Sequence, residues 1–415
     1  MRVSTNFYVQ RGLNNILDQQ YKLAEVQEQI ASGKRLNRPS DDPTGATQVL
    51  RLEQAMSTTD QFQRNSDYAR NRLTLEEATL KNVQDSLLRV REIAVQGANS
   101  TLSDTDRYAL AQEVSERLKE LVGLANTRDA NQEYLFAGYK VNTQPFTQAS
   151  DGTYIYSGDH GERSLQISTG RQIQDSDAGN DVFMNLKNGN GAFQITANGA
   201  NTGDTIINQG QVIDPASYSA TPQDYTISFV TNGNGNVGYN VVGSVDGQII
   251  PAPPLDATLD APDYVSGATI QFNGVETGFN GTPQPGDSFA VTASTNESMF
   301  SSVQKLVTAL EMPTASVGVN ESEALNLINQ SLVEIDNAFE NITQVRTSVG
   351  ARLKTIDDQV SVNESYKIEL QSTLSNIRDV DIAEAAVELQ SRLVALEAAQ
   401  QSYARVQGLN LFDFI

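Results

Sequence analysis

The chain has 415 residues, of which 39% are apolar, with no cysteine and a formal net charge of −22 at pH 7. This length has room for two or three domains, and the lack of cysteine excludes disulfides, thiolate metal sites and cysteine nucleophiles. The acidic charge argues against a nucleic-acid partner, whose phosphates bind Lys and Arg. No apolar run approaches the roughly 20 residues of a membrane span, and the N-terminus lacks the apolar core of a signal peptide.

The first predicted element is a helix from Thr5 to about Ser32, which ends at Gly33. Its apolar residues recur in steps of three and four, the spacing of a helix that buries one face against another helix. This seam consists of Val9, Leu13, Ile16, Leu23 and Ile30, with Gln20 and Gln27 at the steps between. Isolated helices of this length are marginal in water, so we expect a partner for this face.

A second, long helix is predicted from Pro43 to about Gly97. Asp42 caps its free N–H groups, and proline suits its first position. Its apolar seam is Leu73, Leu80, Val83, Leu87, Val90 and Ala94, with Glu76 as the polar exception. Ser103, with Asp106 three residues later, predicts the start of a third helix.

Between about residues 131 and 293 the pattern predicts a β-rich insertion. Short alternating segments are separated by Gly, Asn and Pro, as in strands joined by turns. The predicted strands include residues 153–156, 165–167, 225–230, 239–242 and 269–272. Residues 141–295 hold three basic and fifteen acidic side chains, so we expect this part to face solvent.

Helix returns at about Glu297 and breaks at Pro313. The next helix carries the strongest periodic signal, because twelve of fifteen positions from Leu325 to Leu374 in steps of three and four are apolar. The exceptions are Arg346, Asn363 and Lys367. Buried polar residues at such positions usually fix register or partner number.

The last forty residues predict a helix that Asp381 and Glu384 cap. Its seam consists of Ile382, Ala386, Leu389, Leu393, Leu396 and Tyr403, with Gln400 and Gln407 at the steps between. The two terminal seams match, so we expect the terminal helices to pair with each other or with copies of themselves.

These elements predict an α+β fold: a long α-helical coiled-coil rod formed by N- and C-terminal arms, with an inserted β-rich domain. Five segments follow: an N-terminal inner-core helix at 1–42, a helical rod with a β-hairpin region at 43–185, a β-rich outer insertion at 186–295, the returning rod at 296–375, and a C-terminal inner-core helix at 376–415.

Motifs of catalysis are weak in this sequence, and we expect no enzyme, cofactor or metal site. The one G-x-G-x-x-G, at residues 233–238, precedes a strand-like segment, so an Asn-Gly hairpin is favoured over a dinucleotide site. His160 is the only histidine and is predicted to lie in a polar turn. Asp175, Asp177 and Asp181 lack the glycine and closing glutamate of a calcium loop and predict an acidic surface turn.

Two short motifs carry a family resemblance. Ala31-Ser32-Gly33-Lys34-Arg35-Leu36-Asn37, followed by Asp41-Asp42-Pro43, resembles the N-terminal signature of bacterial flagellins and flagellar hook-associated proteins. The segments Gln96-Gly97-Ala98-Asn99 and Gly408-Leu409-Asn410-Leu411-Phe412 are similar to later parts of the same family. The resemblance covers both arms, roughly residues 1–140 and 296–415.

Three details resemble the hook-associated members more than filament flagellin. They are the two prolines in residues 37–43, Tyr134-Leu135-Phe136-Ala137-Gly138 followed by Pro145-Phe146, and the motif at residues 281–289. The ending Leu411-Phe412-Asp413-Phe414-Ile415 also departs from the ending common among flagellins.

The resemblance implies a structural protein of the bacterial flagellum that polymerises through its terminal helices and joins hook to filament. Its implied partners are copies of itself, a neighbouring hook-associated protein, flagellin, and an export chaperone at the C-terminal segment. It also implies an extracellular location after type III export. The alternatives are a filament flagellin, a non-flagellar coiled-coil surface protein or adhesin, and an enzyme whose β insertion acts on carbohydrate.

Overall fold

The computed structural model describes residues 5–99, 101–220, 222–313 and 321–408. Seven α-helices lie in these ranges: α1 Thr5–Ser32, α2 Pro43–Gly97, α3 Asp104–Ala125, α4 Pro215–Ala220, α5 Met299–Glu311, α6 Glu321–Arg378 and α7 Ile382–Gly408. The predicted helices of both arms, and the break before Pro313, are confirmed. No helix in these ranges combines the length and the apolar character that a membrane span requires.

The β-rich part lies between α3 and α5, as predicted. Its strands are β1 Phe146–Gln148, β2 Tyr154–Tyr156, β3 Ser164–Ser168, β4 Arg171–Gln174, β5 Leu186–Lys187, β6 Phe193–Ala197, β7 Ile206–Val212, β8 Tyr225–Thr231, β9 Val237–Gly243, β10 Gly247–Ile250, β11 Thr269–Phe272, β12 Val275–Asn280, β13 Ser288–Ala293 and β14 Asn296–Glu297. The predicted α+β class is therefore confirmed.

The chain forms two compact units. The first comprises Met1–Ser66, Ile167–Gly170 and Asp357–Ile415, and the second comprises Asp67–Gln166 and Arg171–Ile356. The boundary between the units crosses α2 after Ser66 and α6 after Ile356, so each of these long helices contributes residues to both units. The five segments derived from the sequence stay a prediction.

The helices of the second unit share a deeply buried core. All six apolar residues of the predicted α2 seam are fully buried, and so is its polar exception, Glu76. α3 and α5 also each bury one face, and these two helices pack against each other. The Ser103 side chain caps the start of α3 by accepting a hydrogen bond from the Asp106 N–H. The predicted α6 seam is likewise confirmed, since none of its fifteen positions is exposed.

The polar exceptions in the α6 seam each have a partner from another element. The guanidinium of Arg346 donates to Glu77 on α2, with its Nη2 2.5 Å from Oε1. The Asn363 amide donates to the Ile167 carbonyl at 3.0 Å, and Lys367 Nζ lies 2.6 Å from an Asp60 oxygen. Specific partners at these positions select one register of the packed helices.

The β-rich insertion has its own core between two sheets. One sheet has five strands in the order β10-β9-β8-β13-β6, and the other has three in the order β11-β12-β7. Alternate residues of β8 point into this core, as expected for strands with one buried face. The buried residues of the core include Phe193, Ile227, Phe229, Phe272, Phe279 and Phe289.

Two turn predictions in this part are confirmed. Residues 233–236 of the G-x-G-x-x-G segment form the turn between β8 and β9, which pair antiparallel with Thr231 opposite Val237. No helix follows this loop, so it lacks the helix N-terminus that binds a dinucleotide phosphate. His160 lies exposed in a bend.

Candidate functional site: the paired terminal helices

The linker after α1 and the linker before α7 bind each other through the signature residues. Gly33 ends α1 with a left-handed φ of +70°, and its carbonyl accepts a hydrogen bond from the Val380 N–H at 3.1 Å. The Arg35 N–H donates to the Arg378 carbonyl at 2.7 Å, and Arg35 Nη2 donates to the Ile377 carbonyl at 2.7 Å. We call residues 33–36 and 377–380 the clasp.

The two backbone bonds make Lys34 and Asp379 an isolated antiparallel bridge. A charged contact adds to them, since Arg378 Nε lies 3.0 Å from the Asp379 carboxylate. The Arg378 guanidinium holds the pKa of Asp379 below its ordinary value, so this carboxylate keeps its charge at neutral pH.

The other signature residues order the rest of the linker. The Ser32 hydroxyl donates to the Asn37 side chain at 2.9 Å, and an Asp41 oxygen accepts from the Arg38 N–H at 2.8 Å. Asp42 Oδ1 accepts from the N–H groups of Thr44 and Gly45 at 3.0 and 2.9 Å, which confirms the predicted cap of α2. Pro43 is the first residue of α2, and Leu36 lies half-buried.

From the clasp, α1 and α7 pack against each other in antiparallel directions. Gly12 lies 21 positions before Gly33, and Tyr403 lies 23 positions after Val380, so the two residues are at nearly the same distance from the clasp along their helices. At that distance they touch, since a Cβ placed on Gly12 would lie 2.8 Å from the Tyr403 ring. Pairing within one chain, one of the two predicted options, is therefore present.

The buried face of α1 differs from the predicted seam. Val9, Ile16, Leu23 and Ile30 are at least half-buried, as predicted. Leu13 is not, with 45% of its surface exposed. From Val9 onward the buried residues are spaced three and then four positions apart, whereas the predicted seam is spaced four and then three. The buried face therefore also includes Gly12, Gln19 and Val26, which we call the inner face of α1. The outer face of α1 consists of Leu13, Gln20 and Gln27, all exposed.

The same half-shift occurs on α7. Leu389, Leu396 and Tyr403 are half-buried, as predicted. The inner face of α7, which completes this buried side, consists of Ala385, Arg392 and Ala399. The outer face of α7 consists of Ala386, Leu393 and Gln400, all exposed. Ile382, seven positions before Leu389, belongs to both faces and is exposed as well. These outer positions are not buried within the subunit, and their role as self-assembly contacts stays a prediction; Gln407 and residues 409–415 lie outside the described side chains.

The helical repeat explains the difference in both helices. Two seams, offset by a fraction of a turn, share one residue in every seven. An apolar pattern favours Leu13 over its neighbour Gly12, because glycine has no apolar side chain. Sequence reasoning therefore missed Gly12, whose contact with Tyr403 follows only from the fold.

Pairing leaves large apolar side chains in water. Phe7, Leu17 and Tyr21 on α1 are each more than half exposed, and so are Val387 and Val394 on α7. With Leu13 and Ile382 they form apolar patches on the outer sides of the pair. Patches of this kind mark contact sites for other proteins or for copies of the same protein.

Outside the helix pair, the second unit holds a buried cluster of charges. Arg72, 3% exposed, pairs with Asp129 at 2.5 Å and approaches Asp175 at 3.6 Å. Arg163 bridges Asp175 at 2.8 Å and Glu133 at 3.1 Å. The predicted acidic surface turn is therefore wrong at Asp175, because two arginines neutralise this carboxylate inside the protein.

The cluster continues at Glu76, whose Oε1 accepts from the Asp177 N–H at 3.1 Å, while Asp177 pairs with Arg352. Burial, and then the charge of Asp177, raises the pKa of Glu76 well above its ordinary value. The cluster joins α2, the residues after α3, the β3 and β4 region, and α6. Each acidic group named in this cluster has a partner from another residue of the cluster.

Both arms match family models of flagellin. The model of the bacterial flagellin N-terminal helical region matches residues 3–141, and that of the C-terminal helical region matches residues 332–415.

Individual relatives extend over the whole chain. Flagellar hook-associated protein 3 of Salmonella typhimurium is 24% identical over 413 residues, covering 100% of this chain and 99% of the relative. A flagellin of Clostridium tyrobutyricum is 21% identical over 412 residues, with 98% of both covered. The crystal structure of the flagellar junction protein FlgL from Legionella pneumophila is 36% identical, with a TM-score of 0.73, and covers 80% of this chain and 100% of that one. The chain therefore belongs to the bacterial flagellin family, in the group of flagellar hook-associated protein 3.

Proposed function

We propose that this chain is a structural subunit of the bacterial flagellum that polymerises through its terminal helices and forms the junction between hook and filament. The observation that carries the proposal is the apolar surface that remains on α1 and α7 after they have paired. The placement at the junction rests on the relatives, whose names are those of a hook-associated and a junction protein.

The remaining apolar surface favours contacts between identical subunits. Leu17 and Tyr21 on α1, and Val387 and Val394 on α7, occupy different helices and have different shapes. A contact between two different patches is heterologous, and repeated heterologous contacts build open helical assemblies or rings instead of closed dimers. Burial of several such side chains stabilises each contact by about 1.5–3 kcal/mol per residue.

The family supplies the rest of the proposed setting. We infer copies of this chain, a neighbouring hook-associated protein and flagellin as partners, with an export chaperone at the C-terminal segment. We infer an extracellular location on the flagellum, reached through the type III export apparatus. The charge of −22 argues against nucleic acid, and we expect no catalytic activity.

A filament flagellin is the second candidate, since a flagellin is also similar over nearly the full length. The two candidates share their assembly mechanism and differ in copy number. A non-flagellar surface protein or adhesin is a weaker alternative, because it does not account for the family match in both arms.

Immunogold labelling of whole flagella tests the proposal. The junction role predicts one labelled band at the distal end of the hook, and a strain lacking the gene should release its filament protein into the medium. Label along the whole filament would assign the chain as a flagellin. Label absent from flagella would overturn both candidates.

A further inference from the structure

All seven Asn-Gly dipeptides of the chain lie in the β-rich insertion, and they begin at positions 188, 190, 198, 232, 234, 273 and 280. Asparagine is converted to aspartate most readily when glycine follows it, because glycine has no side chain to hinder its own backbone nitrogen. The seven sites share this local chemistry, so differences in their reactivity come from the fold.

Deamidation at such a site needs only water. The glycine nitrogen gives up its proton to solvent and forms a bond to the asparagine Cγ, which breaks the Cγ–Nδ2 bond and releases ammonia. Water then opens the resulting succinimide ring at one of its two carbonyls and leaves aspartate or isoaspartate. The reaction is favoured by a glycine N–H without an acceptor, a side chain turned toward the main chain that follows it, and donors for the charge on Oδ1 and for the departing Nδ2.

Three of the seven asparagines are held at both atoms of the side-chain amide. Asn188, Asn190 and Asn232 each make four hydrogen bonds through Oδ1 and Nδ2. Asn188 and Asn232 are also buried, at 7% and 5% exposed. Attack on Cγ must break these bonds, so we expect slow reaction at all three positions.

At two further sites the glycine nitrogen is engaged instead. The Asn234 and Asn280 side chains are exposed and make no hydrogen bond with any residue that the structure describes. The N–H that follows Asn234 donates to the Asn232 carbonyl at 2.9 Å. The N–H that follows Asn280 donates to the Ser266 hydroxyl, also at 2.9 Å. Each nitrogen must leave its acceptor before it can attack.

Asn273 is protected for a different reason. It lies in the two-residue turn between β11 and β12 with a left-handed φ of +40°, and its Nδ2 donates to an Asp246 carboxylate oxygen at 3.3 Å. An ionised carboxylate has no proton to give to departing ammonia. Its charge also opposes the negative charge that attack would place on Oδ1.

Asn198, in the turn after β6, meets all the requirements. Its side chain is exposed, and Oδ1 accepts from the Ala200 N–H at 3.1 Å, which turns the amide toward the main chain that follows. The same N–H stabilises the charge that forms on Oδ1 during attack, as in an oxyanion hole. Nδ2 donates to the Ser288 hydroxyl at 3.2 Å, and this hydroxyl can give its proton to the nitrogen that leaves. The Gly199 N–H donates to no residue within the described ranges.

We propose that Asn198-Gly199 is a self-modifying site, which converts to aspartate and isoaspartate in the folded subunit faster than the other six dipeptides. Ala200 supplies the donor to Oδ1, and Ser288 passes its proton to Nδ2 and recovers one from water. The product adds a negative charge to residues 141–295, which already hold fifteen acidic and three basic side chains. Because the change is irreversible and needs only water, it accumulates with the age of the subunit.

Peptide mapping of the full-length protein tests this ranking. After incubation for weeks at mildly alkaline pH, mass spectrometry of a digest gives the deamidated fraction at all seven positions, and isoaspartyl methyltransferase labels the isoaspartate. Position 198 should react at least about ten-fold faster than positions 188, 190 and 232, since release of those side chains breaks several hydrogen bonds. A faster reaction at position 234, 273 or 280 would overturn the proposal.

Variants of Ser288 test the assigned proton donor. Ser288→Ala should slow the reaction at position 198 about five-fold, while position 234 keeps its rate in the same digest. Ser288→Thr keeps the hydroxyl and is the matched control, with a rate near that of the wild type. A rate at position 232 as slow as in the wild type shows that the insertion still folds in each variant.

Gly199→Ala gives a second test that leaves Ser288 in place. A Cβ at this position meets no atom within 4 Å beyond its chain neighbours, so the turn accommodates alanine, but the methyl group hinders attack by its own nitrogen. The reaction at position 198 should then fall to the rate of positions 188 and 232. An unchanged rate in either Ser288→Ala or Gly199→Ala would overturn the proposal, and so would a faster rate at position 198 that persists in urea, where the fold is lost.

Discussion

The α2 seam in the second unit and the terminal helix pair in the first unit were predicted from the same kind of pattern, with different success. All apolar positions of the α2 seam are fully buried. Among the described side chains of the terminal pair, only Val26 and Ala385 are buried, at 5% and 4% exposed, and the predicted seams do not include three positions of the buried face of each helix. A pattern is decisive where several elements enclose a helix, because rotation would then expose many apolar groups. It is ambiguous where one helix packs on one other.

The largest expected effect tests the enclosed region. Arg72→Ala leaves the buried Asp129 without its cation, while Asp175 keeps Arg163, and breaking a buried pair in this way costs about 3–5 kcal/mol. We expect the free energy of unfolding in urea to fall by that amount. Arg89→Ala is the control, since Arg89 and Glu113 form an exposed pair that water screens, and the loss there should be far smaller. Equal losses would mean that the buried cluster is not what stabilises this unit.

Much of the secondary structure followed from local signals in the sequence. The Asp42 cap, the Ser103 cap and the left-handed Gly33 each depend on neighbours within four residues, and all three were predicted at the right position. The strands and the Asn-Gly hairpin followed for the same reason.

The contacts between distant segments did not follow from the sequence. The burial of Asp175 requires two arginines, one of them about a hundred positions earlier in the chain, so composition alone made Asp175 resemble a surface residue. The clasp joins linkers more than three hundred positions apart, and the signature motif gave no indication of its partner. The apolar pattern does not identify Gly12, because its role depends on the absence of a Cβ, which would overlap the Tyr403 ring.

The second prediction concerns the exposed sides of the terminal pair. Leu17→Ser with Tyr21→Ser removes apolar groups that pairing leaves in water, so the free subunit should keep its fold and its helical content by circular dichroism. If these groups are buried on assembly, the loss is about 1.5–3 kcal/mol each, and polymer should fail to sediment at concentrations where the wild type assembles. Val245→Ser, on an equally exposed residue of the β-rich insertion, should assemble normally. Normal assembly of the double variant would show that Leu17 and Tyr21 are not part of the contact between subunits.

A third prediction compares two helical glycines. Replacing glycine by alanine inside a helix usually stabilises it by about 1 kcal/mol. Gly350 on α6 faces open space, and Gly350→Ala should show this gain in urea unfolding. Gly12→Ala should instead destabilise the terminal pair by about 1–3 kcal/mol, because its Cβ would overlap the Tyr403 ring. Hydrogen exchange of the α1 amides measures that loss. If these amides are as protected in Gly12→Ala as in the wild type, the Tyr403 ring does not pack against Gly12.

The smallest expected effect lies at the polar exception of the enclosed seam. Burial raises the pKa of Glu76 above its usual 4.5, so the folded state holds a proton that the unfolded state releases. Stability therefore falls as pH rises from about 4.5 toward the folded pKa, because the unfolded state binds fewer protons than the folded state in that range. Glu76→Gln keeps the acceptor for the Asp177 N–H and does not titrate. The urea midpoint of Glu76→Gln should be equal to or below that of the wild type near pH 4, and should exceed it increasingly toward pH 8. A difference that stays constant with pH would mean that Glu76 is charged inside the seam, with Arg352 as its counterion.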